Sequence, residues 1–361
     1  MRILLLLSLL FLSYISAKTI DYSKKSEVKS FIKMMNKEFN YNENYLIKVF
    51  GKIRENPQKK VKAIVKKDTK KSSKVKKKGS KISTVTKKKK PRPQGSWDIY
   101  ERVHLKQNQT KLGVDFMHKH RNIFKKAYKK YGIPPEYITA IIGVESYYGK
   151  NRGLYYVLDI LTHKAFSKDK RKKFYQYQLQ EFLRMCYREQ IEPRRVIGSK
   201  AGAIGLAQFM PSNYKSFAVD FNNDGKIRIS SPTDAIGSVA NYFKANGWKK
   251  DEPIGTRVNY KGNRFYGLKT GTKYKYQRKD LKDISPKRYF PYKEKVMLIK
   301  LEREKYDELW YGTHNFYVIT RYNHSSYYAM AVHQLAKKIK HFYLKKYGKR
   351  KKNRLYLATK R

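Results

Sequence analysis

Apolar residues return every three or four positions near the start of the chain: Val28, Ile32, Met35 and Phe39, then, past Asn42-Glu43-Asn44, Leu46, Val49, Phe50 and Ile53. This spacing predicts a small pair of amphipathic helices over about residues 26–57. Further on, Pro134-Pro135-Glu136 marks a helix start, because proline is tolerated in a first turn. That helix should run from Tyr137 to Tyr148 and stop near Gly149. A second long helix is expected over about 171–188, and a glycine-rich stretch at 198–205 leads into Leu206 and Pro211. Residues 233–246 set Ala235, Ile236, Val239, Tyr242 and Phe243 on one side, and 326–340 do the same with Tyr328, Ala331, Val332 and Leu335. Both patterns are helical. Residues 252–292, rich in Gly, Lys, Tyr, Thr and Arg with short alternations, predict a small β-lobe or long loops. The expected fold class is mainly α (α+β).

Residues 59–92 break the pattern. They hold sixteen lysines, Arg92 and a single acidic residue, Asp68, with no aromatic ring. Such a composition cannot pack and predicts a disordered, solvated linker or arm. The chain opens with Met1-Arg2 and an apolar run to about Ile15, then Ser16-Ala17-Lys18. The run is short for a bilayer span and predicts a secretory signal cut near Ala17. No cysteine lies near the cut, so no lipoprotein anchor is expected. The organisation expected is a signal at 1–17, a helical segment at 18–58, the lysine-rich linker at 59–92, a catalytic domain at 93–340 and a basic tail at 341–361. Export to the periplasm or cell envelope follows.

Lysine plus arginine number 84 against 28 acidic residues, a formal net charge of +56 among 361 residues. A charge of that size points to polyanionic surroundings. Nucleic acid is disfavoured as a partner: the arm lacks interleaved aromatics, no base-reading fold is recognisable, and the leader implies export. The single cysteine, Cys186, excludes an internal disulfide and a paired-cysteine zinc site, and should be buried.

Glu145 carries the chemistry. One and two turns back on its helix stand Ile141, Ile142 and Ile138. A carboxyl on an apolar face is partly desolvated, which raises its pKa. A carboxylic acid still protonated near neutrality can give its proton to a leaving oxygen. Asp159 is the alternative acidic group, but after Val157-Leu158 it can equally stabilise the next helix.

Five segments now fall into register. They are Gly143-Val144-Glu145-Ser146-Tyr147-Tyr148-Gly149, Ala201-Gly202-Ala203-Ile204-Gly205-Leu206-Ala207-Gln208-Phe209-Met210-Pro211-Ser212, Val219-Asp220-Phe221-Asn222-Asn223-Asp224-Gly225, Ala235-Ile236-Gly237-Ser238-Val239-Ala240-Asn241-Tyr242-Phe243 and Thr320-Arg321-Tyr322-Asn323. In order and spacing over roughly 93–340 they resemble the lytic murein transglycosylase B family. The resemblance implies a lysozyme-like helical core with a small β-lobe and an N-terminal helix pair. It implies cleavage of the β-1,4 bond between N-acetylmuramic acid and N-acetylglucosamine in peptidoglycan, giving 1,6-anhydromuramyl ends without consuming water. Glu145 then acts first as acid and afterwards as base. By motif position, Ser146, Ser199, Gln208, Tyr242, Tyr322 and Asn323, and less directly Tyr100, are expected to bind substrate; the alternatives are a loop hydroxyl bonding its own backbone for Ser199, a helix-start amide for Gln208, a core position beside Val239 for Tyr242 and a helix cap for Asn323. A two-carboxylate hydrolase would need a second acid about 5–10 Å away. A lysozyme-type hydrolase and a non-catalytic basic wall-binding protein are the competing readings. The chain is expected to act as a monomer on glycan strands, its lysine arm touching anionic envelope polymers or lipids.

Asp220-Phe221-Asn222-Asn223-Asp224-Gly225-Lys226 places oxygen donors at positions 1, 3 and 5, glycine at 6 and a main-chain carbonyl at 7. That is the first half of an EF-hand loop. Position 12 is Ser231 rather than glutamate, and Asp234 can supply the missing carboxylate. The expectation is a structural Ca2+ on Asp220, Asn222, Asp224, Lys226 and Asp234, with an Asx-rich turn free of metal as the alternative.

Overall fold

The helices form where the periodicity demands them, and their ends carry recognisable stops. A computed structural model of the chain describes residues 18–55, 57, 95–105, 107–262 and 264–348. The expected leader at 1–17, the lysine-rich stretch at 59–92 and residues 349–361 lie outside the described residues. In chain order the elements are β1 (Thr19–Ile20), α1 (Ser26–Phe39), α2 (Glu43–Phe50), β2 (Ile53–Arg54), α3 (Ser96–His104), α4 (Gln107–Lys119), α5 (Arg121–Tyr131) and α6 (Pro135–Ser146). Then follow β3 (Tyr155–Tyr156), α7 (Val157–Ala165), α8 (Lys172–Arg188), β4 (Ile197–Gly198), α9 (Pro211–Phe217) and α10 (Pro232–Ala245). The chain continues through β5 (Gly255–Tyr260), β6 (Ile284–Pro286), β7 (Met297–Glu302), β8 (Asp307–Gly312), α11 (His314–Tyr322) and α12 (Ser326–Tyr347). The fold is mainly α.

The chain divides into two compact units, Met1–Lys62 with Leu154–Gly202, and Ala63–Gly153 with Ala203–Arg361. In the first, α1 meets α2 and α7 meets α8. Its core holds Phe31, Phe50 and Phe166 edge to face, with centroids 5.7–6.4 Å apart, a geometry that aromatic quadrupoles favour. Cys186 is 1% exposed, and burial pushes its thiol pKa up. Ile53, which the helical period would carry on into α2, instead sits in β2 opposite Ile20. Helix α2 ends at Gly51, and Ile53 reaches the core from an extended segment.

In the second unit α6 is buried on every side from Pro135 to Gly143, so it is a central helix rather than one with a single apolar stripe. α12 and α4 pack on it, and α10 packs on both α5 and α6. The antiparallel sheet has the order β6-β5-β8-β7 and runs on to Gly312, beyond the 252–292 stretch. The hairpin of β7 and β8 pairs Gly312 and Tyr311 with Gly255 and Thr256. Its core gathers Val258, Leu281, Ile284, Val296, Leu298, Leu309 and Tyr311. α12 extends to Tyr347, into the stretch expected as tail.

Candidate active site

The second unit builds its site around the end of α6. The helix closes at Ser146, and the next two residues take the left-handed conformation, Tyr147 at φ 51° and Tyr148 at φ 58°. This turns the Tyr148 ring back onto the helix. Space for it exists because position 143 is glycine: a Cβ there would come within 2.7 Å of the ring. Gln109 secures the turn, its amide donating to Gly143 O at 2.9 Å while its own carbonyl accepts the Tyr148 hydroxyl at 2.9 Å. Ser146 is fully buried. Its hydroxyl donates to Ile142 O and accepts from Gly149 N, both at 3.1 Å. Ser146, expected to bind substrate, here fastens the helix end through these two bonds.

Glu145 sits in the last turn of α6, with Ile138, Ile141 and Ile142 completely buried behind it. The residue as a whole is only partly covered, while its carboxyl lies against this apolar wall. Burial pushes its pKa up to about 7, against the opposing pull of one hydrogen bond. That bond comes from Tyr328 on α12, whose hydroxyl donates to Glu145 Oε1 at 2.6 Å. Tyr328 is 2% exposed. The sequence placed it on an apolar helix face without assigning it a role. A phenol on such a face needs a partner for its hydroxyl, and that was the available signal.

Three of the expected tyrosines gather with it. Tyr322 lies parallel to Tyr328, with centroids 6.4 Å apart and an interplanar angle of 10°. Its hydroxyl donates to Ala207 O at 2.6 Å. Tyr242 approaches Tyr322 to 4.8 Å between centroids. It is 5% exposed and donates to Arg321 O at 2.6 Å, so it supports the cluster from the core side. Tyr100, on α3, stacks against Trp97. Its pKa is raised by burial and then by the charge of Glu145, which sets it in the same electrostatic neighbourhood. Gln208 holds φ at 48° and spends its amide nitrogen on Gly205 O at 2.8 Å and Arg152 O at 3.3 Å. Asn323 is exposed and follows the last turn of α11.

Two residues fall in the first unit. Ser199 follows β4, and its hydroxyl accepts the Ala201 N–H at 3.2 Å. Asp159 is 1% exposed in the first turn of α7. It accepts from Arg54 Nη1 at 2.8 Å and from Arg54 N at 3.3 Å. Burial raises its pKa and the Arg54 guanidinium pulls it back. Asp159 thus has the structural role that the sequence offered as its alternative.

In the acidic loop, Asp220 accepts main-chain N–H bonds from Asn223, Asp224 and Gly225 at 2.7–3.2 Å. Asp224 accepts from Lys226 N and pairs with Arg228. Asp234, 1% exposed, accepts from Phe221 N at 3.0 Å and Arg228 N at 2.7 Å. Its pKa is raised by burial, with Asp220 and Asp224 adding to the rise against those two bonds. Gly225 at φ 82° allows the sharp bend. The donor set is all oxygen and suits a hard cation. Among the described residues no three His, Cys, Asp or Glu side chains meet around one point.

Against known proteins, the "Transglycosylase SLT domain" family matches residues 23–337. Membrane-bound lytic murein transglycosylase B of Escherichia coli (strain K12) is 40% identical over 249 residues, covering 68% of each chain. The Escherichia coli lytic transglycosylase SLT35, solved in complex with bulgecin A, covers 92% of this chain and 98% of its own at 31% identity and a TM-score of 0.76. The same enzyme has been solved in complex with calcium, matching at 30% identity, a TM-score of 0.76 and the same coverage. SltB3 from Pseudomonas aeruginosa, in complex with NAG-anhNAM-pentapeptide, matches at 28% identity and a TM-score of 0.62 over 70% of this chain and 69% of its own.

Proposed function

The chain belongs to the transglycosylase SLT domain family and is a lytic transglycosylase; from that premise we propose that Glu145 cleaves the β-1,4 bond between N-acetylmuramic acid and N-acetylglucosamine without water. One observation carries the reading: a carboxyl on an apolar wall, with its pKa near 7 and a neutral phenol as its hydrogen-bond donor. Half protonated at neutrality, Glu145 gives its proton to the bridging oxygen. The C1–O bond breaks, the N-acetylglucosamine hydroxyl leaves, and positive charge develops at C1. The Glu145 carboxylate then takes the proton of the muramyl C6 hydroxyl as O6 bonds to C1. The product is a 1,6-anhydro ring, and the acid is restored.

Tyr328 orients the carboxylate and favours its charged form for the second step. The rings of Tyr322 and Tyr100 offer faces to sugar C–H groups. Gln208, its nitrogen already engaged, offers its oxygen to an acetamido N–H. Sugar contacts are also proposed for Asn323 in the second unit and, by its motif position, for Ser199 in the first. The calcium reported for SLT35 supports placing Ca2+ here on Asp220, Asn222, Asp224, the Lys226 carbonyl and Asp234, where it would pin the loop. A chelator should then lower the melting temperature by several degrees, reversed by Ca2+ and absent in Asp234→Ala; an unchanged melting curve removes the metal. The leader and the lysine-rich 59–92 arm fit an exported protein held against anionic envelope polymers.

The test of the reaction is digestion of purified murein sacculi with mass analysis of the ends. Anhydromuramyl ends, one water lighter than reducing ends, are expected. Reducing ends would favour the lysozyme-type hydrolase.

A further inference from the structure

α4 and α12 leave a cavity of about 550 Å³ that includes none of the residues assigned to catalysis or metal. Its lining is apolar at Val114, which is 4% exposed, and at Phe342, which keeps 48% of its surface in solvent. Lys111 from α4 and Lys345 and Lys346 from α12 line the same space. Helix geometry puts them together, because residues three and four beyond Phe342 share its face. Lys346 reaches across to Asp115 at 3.0 Å. Lys111 and Lys345 are exposed, and neither has an ion-pair partner among the described residues.

We propose that this groove docks the protein on an anionic lipid bilayer, with Lys111 and Lys345 on lipid phosphates and Phe342 set at the boundary between headgroups and acyl chains. The two halves of the lining ask for different things. A half-exposed aromatic beside an apolar hollow is relieved by hydrocarbon, and the lysines by anions. A bilayer rich in acidic lipids supplies both within a few ångströms, while lysine stems lie along the apolar surface and their heads reach the phosphates. A soluble polyanion would neutralise the rim and leave Phe342 facing water. The sequence beyond α12 keeps the same sign, with Lys349, Arg350, Lys351, Lys352, Arg354, Lys360 and Arg361 and no acidic residue.

The test separates this groove from the general positive charge of the chain. Cys186 is the only cysteine and is buried, so Phe342→Cys in the full chain can be labelled with an NBD fluorophore. With phosphatidylcholine vesicles containing phosphatidylglycerol, the emission should brighten and shift to the blue; with phosphatidylcholine alone it should not. A label at Tyr289→Cys, where the native side chain is 92% exposed, should stay unchanged. Phe342→Ser keeps the charge and should weaken vesicle affinity about tenfold, by the loss of one buried aromatic. Lys111→Gln with Lys345→Gln should weaken it most at low salt. Vesicle binding without a shift at 342 and unchanged by Phe342→Ser would assign adhesion to charge elsewhere and overturn the proposal. A shift without vesicles that vanishes on removal of 349–361 would give the groove to the chain's own tail. A shift with sacculi but not with vesicles would give it to a wall polymer. Either of these outcomes also overturns the proposal.

Discussion

Glu145 and Asp159 are the instructive pair. Each stands on a helix beside buried aliphatic residues, and burial raises the pKa of each. Their partners differ. Asp159, in the first unit, has a guanidinium at 2.8 Å and a main-chain N–H. Glu145, in the second, has a phenol. A cation compensates a buried negative charge, whereas a neutral donor compensates only part of it. The first arrangement keeps a carboxylate as a structural tie. The second leaves a group that can hold or release a proton near neutrality, which a one-carboxylate mechanism requires.

The largest way to break the comparison is Glu145→Gln. It preserves an acceptor for Tyr328 and removes the exchangeable proton, so release of anhydro ends should fall by about a thousandfold or more. The same change should stabilise the fold above neutral pH. A folded pKa raised above the unfolded value costs stability most fully above the folded value, and the cost fades as pH falls through about 7. Thermal melts at pH 8 and pH 5 check this: the gain, roughly 1–2 kcal/mol allowing for partial exposure, should appear at pH 8 and shrink at pH 5.

Arg54→Met makes the opposite site resemble its counterpart. Asp159 loses its cation, its pKa climbs further, and stability should drop by about 2–4 kcal/mol at neutral pH. The deficit should narrow as the medium is acidified, because protonation removes the unpaired charge. The alkaline limb of the pH–rate profile should stay where it is, since the proposed chemistry runs through Glu145 alone.

Tyr328→Phe sharpens the comparison with the smallest effect. It removes the bond that favours the Glu145 anion, so the Glu145 pKa should rise and the alkaline limb move to higher pH. Turnover should fall by about 10- to 100-fold, as expected for one hydrogen bond to a charged group. A loss of activity with an unmoved profile would make Tyr328 a packing residue only.

Much of this was legible in the chain. Glu145 stood out because Ile138, Ile141 and Ile142 mark its helix face, and local period alone reveals that. Tyr328 did not, because its partner lies 183 residues away and no local pattern pairs two helices. The helix-end bonds of Ser146 were equally hidden, because its place beside Glu145 in the motif does not say where its hydroxyl turns. The strands Met297–Glu302 and Asp307–Gly312 escaped for another reason. Met297-Leu298-Ile299 is a continuous apolar run, and such a run does not distinguish a buried strand from a helix.

The most direct measurement is a titration of the Glu145 carboxyl by carbon-13 NMR, its resonance assigned by loss in Glu145→Gln. A midpoint near pH 7, with the alkaline limb of activity falling at the same pH, is the predicted result. A midpoint below pH 5 would mean the group is ionised and well solvated at neutrality, and would contradict its role as the proton donor.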